Sequence, residues 1–140
     1  MRDGMIESRL RLHTALLVVA ICAAGWLPAS AAAAPVVRNL VATASVKAAL
    51  RATHLAVLQP AQRAGVRGPL KGTTYYGSVG KWKYALATFS HPGVGTTDQP
   101  ELFSKAPGGA WRDRGDTGGC LTKGIIPRAL IRVWHLSSYC

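Results

Sequence analysis

The strongest pattern of hydrophobic and polar positions predicts a β-hairpin in the middle of the chain. β-Branched and aromatic residues dominate 73–79 and 81–90, and Gly80 supplies the turn between them. Side chains of the second strand alternate between two faces, and over its second half both faces are apolar. This predicts a central strand, in which the small Ala85 and Ala87 leave room for a helix close against the sheet.

A helix is predicted ahead of the hairpin, from an N-cap at Ser45 to Leu58. Lys47, Arg51 and His54 lie together on one flank of this helix and predict a solvated basic edge. The residues on the face that we expect to dock on the sheet are Val46, Ala49, Leu50, Thr53 and Val57.

Two more short strands and a final helix are predicted in the C-terminal half. The strands cover 101–105 and 110–113, are joined by the turn 106–109, and follow an irregular connection over 91–100. The helix begins at Ile126, with a proline in its first turn. Its expected buried stripe consists of Leu130, Val133 and Trp134.

The N-terminal segment has the three parts of a secretory signal peptide. Three arginines among the first eleven residues precede an uncharged apolar run, 15–27, and then a small-residue tract, 29–34. The apolar run is too short to span a bilayer comfortably. We therefore expect 1–34 to be removed on export, which leaves 35–140 as a single small secreted domain without a transmembrane segment.

The three cysteines complete the predicted architecture. Cys22 lies in the apolar run and leaves with the signal; Ile21 precedes it where lipid attachment needs a small residue, so we expect no lipid anchor. In an oxidising compartment Cys120 and Cys140 are expected to form one disulfide, worth about 3 kcal/mol. The predicted fold is α+β: an N-terminal helix packed on a roughly four-stranded antiparallel sheet, with a short C-terminal helix clipped by that disulfide.

Charge adds an expectation about partners. The chain has 17 Lys and Arg against six Asp and Glu, a net charge of +11, and 35–140 retains most of that excess. Outside a cell such a charge attracts polyanions, including teichoic acids, acidic polysaccharides and anionic lipid headgroups. Solubility conferred by excess charge is the alternative explanation.

Catalytic, metal and cofactor signals are weak. Asp116-Thr117-Gly118 matches the short aspartic-protease motif, but no second copy exists and a tight loop explains the residues as well. His54, His91 and His135 are scattered without short ligand spacing, which predicts no metal site. Nucleophile-elbow, phosphate-loop and dinucleotide motifs are also missing, so we expect no enzyme activity and no cofactor.

Rings and cations concentrate in the hairpin. Aromatic rings there could stack on sugars while lysines contact anionic oxygens; alternatively, one face of rings belongs to the core and the lysines protect a sheet edge. The missing glycine of an RNA-recognition strand argues against RNA, and no specific nucleic-acid partner is expected. The candidate binding surface consists of Tyr75, Tyr76, Lys81, Trp82, Lys83 and Tyr84.

Several short runs resemble small exported proteins of high-GC Gram-positive, actinobacterial type. The resemblance implies a bacterial secreted product whose domain ends in a short helix bearing a tryptophan, here Trp134, and it implies no activity or site. The runs that carry it are Tyr75-Tyr76-Gly77, Tyr84 to Phe89, Pro100 to Phe103, Ala106 to Asp113 and Gly115 to Gly119.

The leading hypothesis is therefore a non-enzymatic, secreted or envelope-associated basic module that binds an anionic wall component. An inhibitor of an extracellular enzyme is the first alternative, with 91–100 or 106–109 as the inserted loop. A hydrolase that uses Asp116 is the second and weaker alternative.

Overall fold

The computed structural model describes residues 33–93, 95–96, 99–118 and 124–137, all of which belong to one compact unit, Ala33–Cys140. The described part of the chain contains no helix that is long and apolar enough to cross a membrane. Its elements in chain order are β1 Val37–Leu40, α1 Ala44–Val57, α2 Pro60–Arg63, β2 Tyr75–Val79, β3 Trp82–Ala87, β4 Ser90–His91, β5 Gly95–Thr96, β6 Glu101–Lys105, β7 Trp111–Asp116 and α3 Arg128–Val133.

The fold is α+β and is built on a five-stranded antiparallel sheet in the order β1-β2-β3-β6-β7. The predicted hairpin is β2 and β3, and β3 is the central strand. The prediction of about four strands was one too low, because β1 precedes the helix and pairs with β2 along the outer edge. Four residues with the sequence Val-Arg-Asn-Leu carry too little alternation to predict a strand.

Apolar residues on both faces of the sheet produce two cores. One core lies between the sheet and α1, and the second lies between the sheet and α3. Ala85 and Ala87 belong to the first core, together with the fully buried Leu50 of α1. Leu86, on the opposite face of β3, packs with Leu130 in the second core.

Helix α1 differs from the prediction in its N-cap and in its buried face. Thr43 rather than Ser45 caps it, since the Thr43 hydroxyl accepts the amide hydrogen of Val46 at 3.3 Å. Val57, predicted to be buried, is 62 % exposed, whereas His54 is buried. The helix therefore presents His54 to the sheet. Strand β1, and not this helix, is the first element of the described chain.

Helix α3 packs on β1 and β2, and a glycine makes the close approach possible. A Cβ on Gly77 would lie 2.5 Å from a methyl carbon of Leu130, so the helix occupies the space of a side chain. Ile131 is buried, while Val133, predicted to be buried, is 36 % exposed. Trp134 is buried as predicted.

The segment predicted to be an irregular connection, 91–100, includes a small second sheet of β4 and β5. Strands of two residues are too short for any hydrophobic period, so the sequence could not indicate them. Ser90 is also tied to Arg67 by two backbone hydrogen bonds of 2.9 and 3.0 Å, which fix the position of His91. The predicted Cys120–Cys140 disulfide, Cys22 and residues 1–32 of the predicted signal peptide 1–34 lie outside the described residues.

Candidate functional site

Five of the six residues of the predicted binding surface lie in β2 and β3 and are divided between the two faces of the sheet, while Lys81 is exposed in the turn between these strands. Tyr76 is buried on the α1 face, edge-on to Trp111 with ring centroids 6.0 Å apart. Tyr75 is half-buried on the other face and packs against Trp134 at 5.9 Å. Both tyrosines therefore contribute to packing, as the alternative explanation of these rings expected, and are poor candidates for binding.

Trp82 and Tyr84 are the accessible rings of the hairpin. Trp82 is 45 % exposed and stacks on the half-buried Tyr84, with ring centroids 6.4 Å apart and planes 22° apart. Burial of the Tyr84 hydroxyl raises its pKa above the ordinary value of 10.0, so the phenol stays protonated at neutral pH. The pair is a neutral aromatic platform at one end of β3.

Two arginines lie on the same face as these rings. Tyr84 pairs with Ser104, and Ser104 pairs with Arg112, so all three side chains project from one side of the sheet. Arg114 joins them, because its Nε donates a 3.1 Å hydrogen bond to the Ser104 hydroxyl. Both arginines are exposed. We name this surface the ring–arginine face; its residues are Trp82, Tyr84, Arg112 and Arg114.

The spacing of the ring–arginine face follows from the sheet. Neighbouring strands lie about 4.8 Å apart, and one strand separates β3 from β7, so the Tyr84 and Arg112 backbones are roughly 10 Å apart. Flat rings at one end can stack on the apolar faces of sugars, and guanidinium groups at the other can bind carboxylate or phosphate oxygens in pairs. The surface is suited to a ligand that alternates sugar-like and anionic groups.

A second set of cations lies on the opposite face. Lys83 stands directly across from Lys105, and Arg38 lies in the same transverse row with the buried Ser78 between. Like charges directly opposite one another destabilise a sheet. Within the described residues these cations have no acidic partner at ion-pair distance. We name Arg38, Lys83 and Lys105 the cationic row.

A buried histidine–aspartate pair lies between α1 and β7, and sequence reasoning missed it. Nδ1–H of His54 donates to Oδ2 of Asp113 at 2.8 Å, and both side chains are almost fully buried. Phe89 stacks on the His54 ring at a centroid distance of 4.3 Å. The prediction that His54 belongs to a solvated basic edge is wrong, because Asp113 and Phe89 together give the ring a hydrogen-bonding and packing site inside the fold.

His91 and Glu101 extend this pair. The Nε2 atoms of His91 and His54 are 3.4 Å apart, and the two rings meet edge to face. Burial, and after it the neighbouring His54, lower the pKa of His91 below 6.5. One oxygen of Glu101 lies within 4.8 Å of a ring nitrogen of His54 and of an oxygen of Asp113. We name His54, His91, Glu101 and Asp113 the histidine cluster.

A shallow cavity gives the histidine cluster access to solvent. It measures about 280 Å³, and its walls include Ala61, Gln62, His91 and Pro92. A Cβ on Gly65 would lie 2.8 Å from the Pro92 ring, so the backbone at Gly65 passes close to this wall of the cavity. The signal that could have revealed the cluster is the position of His54 four residues after the buried Leu50, on the same helical face.

Comparisons with protein-family models, with curated proteins and with solved structures find no match to this chain. The ring–arginine face and the histidine cluster therefore have to be interpreted from their own chemistry. Asp116, the residue of the hydrolase alternative, lies at the exposed end of β7, in register with Glu101 of β6. The sequence has no second Asp-Thr-Gly copy to supply the partner aspartate that aspartic proteolysis needs.

Proposed function

We propose that this protein is a secreted or envelope-associated binding module without enzymatic activity, and that its ring–arginine face binds an anionic, sugar-containing polymer of the cell envelope. The observation that carries the proposal is the exposed Trp82–Tyr84 stack beside Arg112 and Arg114 on one side of the sheet. Large exposed rings cost free energy in water, and a ligand that covers them recovers it.

Rings and arginines have different tasks in this proposal. The rings supply contact with the apolar side of a sugar, which depends little on salt. The arginines supply attraction to acidic groups, and that attraction weakens as ions screen it, with a screening length of about 10 Å at 0.1 M salt. The net charge of +11 adds a long-range component that concentrates the protein near any polyanion.

The cationic row is expected to contribute less to the binding affinity than the ring–arginine face. Arg38, Lys83 and Lys105 lie on the α1 face, away from the exposed rings, and can raise the local potential without contacting the same stretch of polymer. We therefore expect them to influence the association rate and its salt dependence more than the affinity at high salt.

The proposal is tested by equilibrium binding to purified wall teichoic acid over a series of salt concentrations, with a neutral polysaccharide as the comparison polymer. Trp82→Ala is expected to weaken binding about tenfold at every salt concentration, since loss of a stacked ring costs on the order of 1.4 kcal/mol. The double variant Arg112→Ala, Arg114→Ala is expected to weaken binding and to flatten the salt dependence.

A charge-matched control separates a site from general attraction. Arg67→Ala combined with Lys71→Ala removes two exposed cations of the segment between α2 and β2, outside the ring–arginine face. This control should lose little affinity, whereas the arginine pair should lose much more. Equal losses in the two double variants, or equal binding of the neutral and the anionic polymer, would contradict the proposal.

A further inference from the structure

We propose that the histidine cluster is a binding site for a zinc-class transition-metal ion, with Nε2 of His54 and Nε2 of His91 as the nitrogen ligands. Asp113 holds His54 in place, and Glu101 lies near enough to supply a carboxylate. The site is independent of the ring–arginine face, because it lies on the α1 side of the sheet.

The distance between the two nitrogens carries the proposal. Two histidine nitrogens that bind one tetrahedral zinc at about 2.0–2.1 Å are separated by roughly 3.4 Å. The Nε2 atoms of His54 and His91 are 3.4 Å apart. The two rings are also within hydrogen-bonding distance of each other, so the same spacing serves a shared proton or a shared ion.

The hydrogen bond to Asp113 prepares His54 to act as a ligand. A carboxylate only accepts hydrogen bonds, so the proton of the neutral ring resides on Nδ1 and the Nε2 lone pair points away from Asp113. That lone pair faces His91. A carboxylate that fixes the tautomer and orientation of a histidine is the usual second layer of a metal site. Gly115 holds the other oxygen of Asp113 with a 2.8 Å amide hydrogen bond.

His91 can supply the second nitrogen ligand while its neutral ring keeps its one N–H proton. To bind the ion, the His91 ring carries its hydrogen on Nδ1 and offers Nε2, so one proton changes position within the ring and none leaves it.

The remaining coordination positions can be filled from two directions. A carboxylate oxygen of Glu101 lies within 4.8 Å of a His54 ring nitrogen and of an Asp113 oxygen, which makes Glu101 the carboxylate candidate for a third position. His91 also lines the cavity of about 280 Å³ that opens to solvent, which provides an entry route and room for water ligands. Imidazole ligands favour zinc, cobalt, nickel and copper, while magnesium and calcium prefer oxygen.

His54 and His91 are too far apart in the sequence to form a recognisable metal-ligand motif. His54 comes from α1 and His91 from β4, with the hairpin and both of its strands between them. The ligand spacings that identify metal sites from sequence require residues a few positions apart. The prediction of no metal site rested on that criterion and on the assignment of the cysteines to a disulfide, whereas the fold brings the two rings together through Phe89 and the tie between Ser90 and Arg67.

The test is a zinc titration of the full-length protein after chelator treatment and dialysis, followed by isothermal calorimetry, with a repeat in cobalt for its optical spectrum. We expect one ion per chain bound at this site and a cobalt spectrum with tetrahedral nitrogen character. His91→Gln removes a ligand from a half-buried position and should weaken binding at least about tenfold.

The matched control is His135→Asn, because His135 is exposed and adopts a positive φ of 55° that asparagine tolerates. Its zinc affinity should equal that of the unmodified protein. His54→Gln is a second ligand variant, interpreted only if its circular dichroism matches that of the parent. Zinc affinity unchanged in His91→Gln, or no zinc binding by the parent protein, would overturn the proposal, and neither result bears on polymer binding.

Discussion

At the scale of single residues, the most consequential contact is the one between His54 and Asp113. Both side chains are buried, and Asp113 accepts hydrogen bonds from the His54 ring and from the amide of Gly115. A buried donor that loses its acceptor keeps its desolvation penalty without compensation. This pair therefore stabilises the fold whether or not an ion is bound.

Replacement of the carboxylate tests that contribution. Asp113→Ala, studied with chelator present, is expected to lower the free energy of unfolding by about 1–3 kcal/mol, since it leaves the buried Nδ1–H of His54 without its acceptor. Asp113→Asn keeps an acceptor and should cost clearly less. Urea denaturation followed by circular dichroism measures both. An equal loss in the two variants would show that the hydrogen bond from His54 is not what stabilises this position.

At the scale of elements, the way α3 seats on the sheet depends on one glycine. The position of a Cβ on Gly77 is already occupied by Leu130, at 2.5 Å, and by the Arg38 carbonyl oxygen, at 2.8 Å. Because one of these neighbours is backbone, the clash cannot be relieved by a side-chain rotation alone. The second core therefore requires glycine at this point of β2.

Gly77→Ala is expected to destabilise the protein by about 1–3 kcal/mol through displacement of α3. Gly109→Ala is the matched control, because a Cβ there meets its nearest neighbour at 3.5 Å and the turn 106–109 is exposed. Thermal unfolding of the two variants gives the comparison. If the alanine at 77 is as well tolerated as the one at 109, α3 does not rest on β2 as described.

Elements also show what the sequence could and could not predict. The hairpin followed from dense β-branched and aromatic positions around Gly80, and the alanines of β3 share a core with Leu50 of α1. Strand β1 is too short to show a period, and the buried face of α1 turned towards His54 because of partners distant in sequence. Local patterns predict elements, whereas contacts between distant segments decide which polar residues become buried.

The same limit applies to the candidate binding surface. Sequence reasoning selected Trp82 and Tyr84 together with rings that the structure places in packing, because alternation alone could not say which face α3 covers. Arg112 and Arg114 were not selected, since they join the rings only through the pairing of β3 with β6 and of β6 with β7. Long-range strand order, which the sequence did not reveal, assembles this site.

At the scale of the whole molecule, the two faces of the sheet carry different groups. The α1 face carries the histidine cluster and the larger aromatic core, and the other face carries α3 at one side and the ring–arginine face at the other. A net charge of +11 draws the molecule towards polyanions in general. The arrangement of rings and arginines is what makes one part of the surface specific.

The most direct test of that claim is a nuclear magnetic resonance titration that follows the indole N–H signals of the tryptophans while teichoic acid fragments are added. We expect the Trp82 signal to move progressively, while the signals of Trp134, which is buried, and Trp111, which packs on Tyr76 on the α1 face, stay in place. A fixed Trp82 signal under conditions where the fragments bind would contradict that claim.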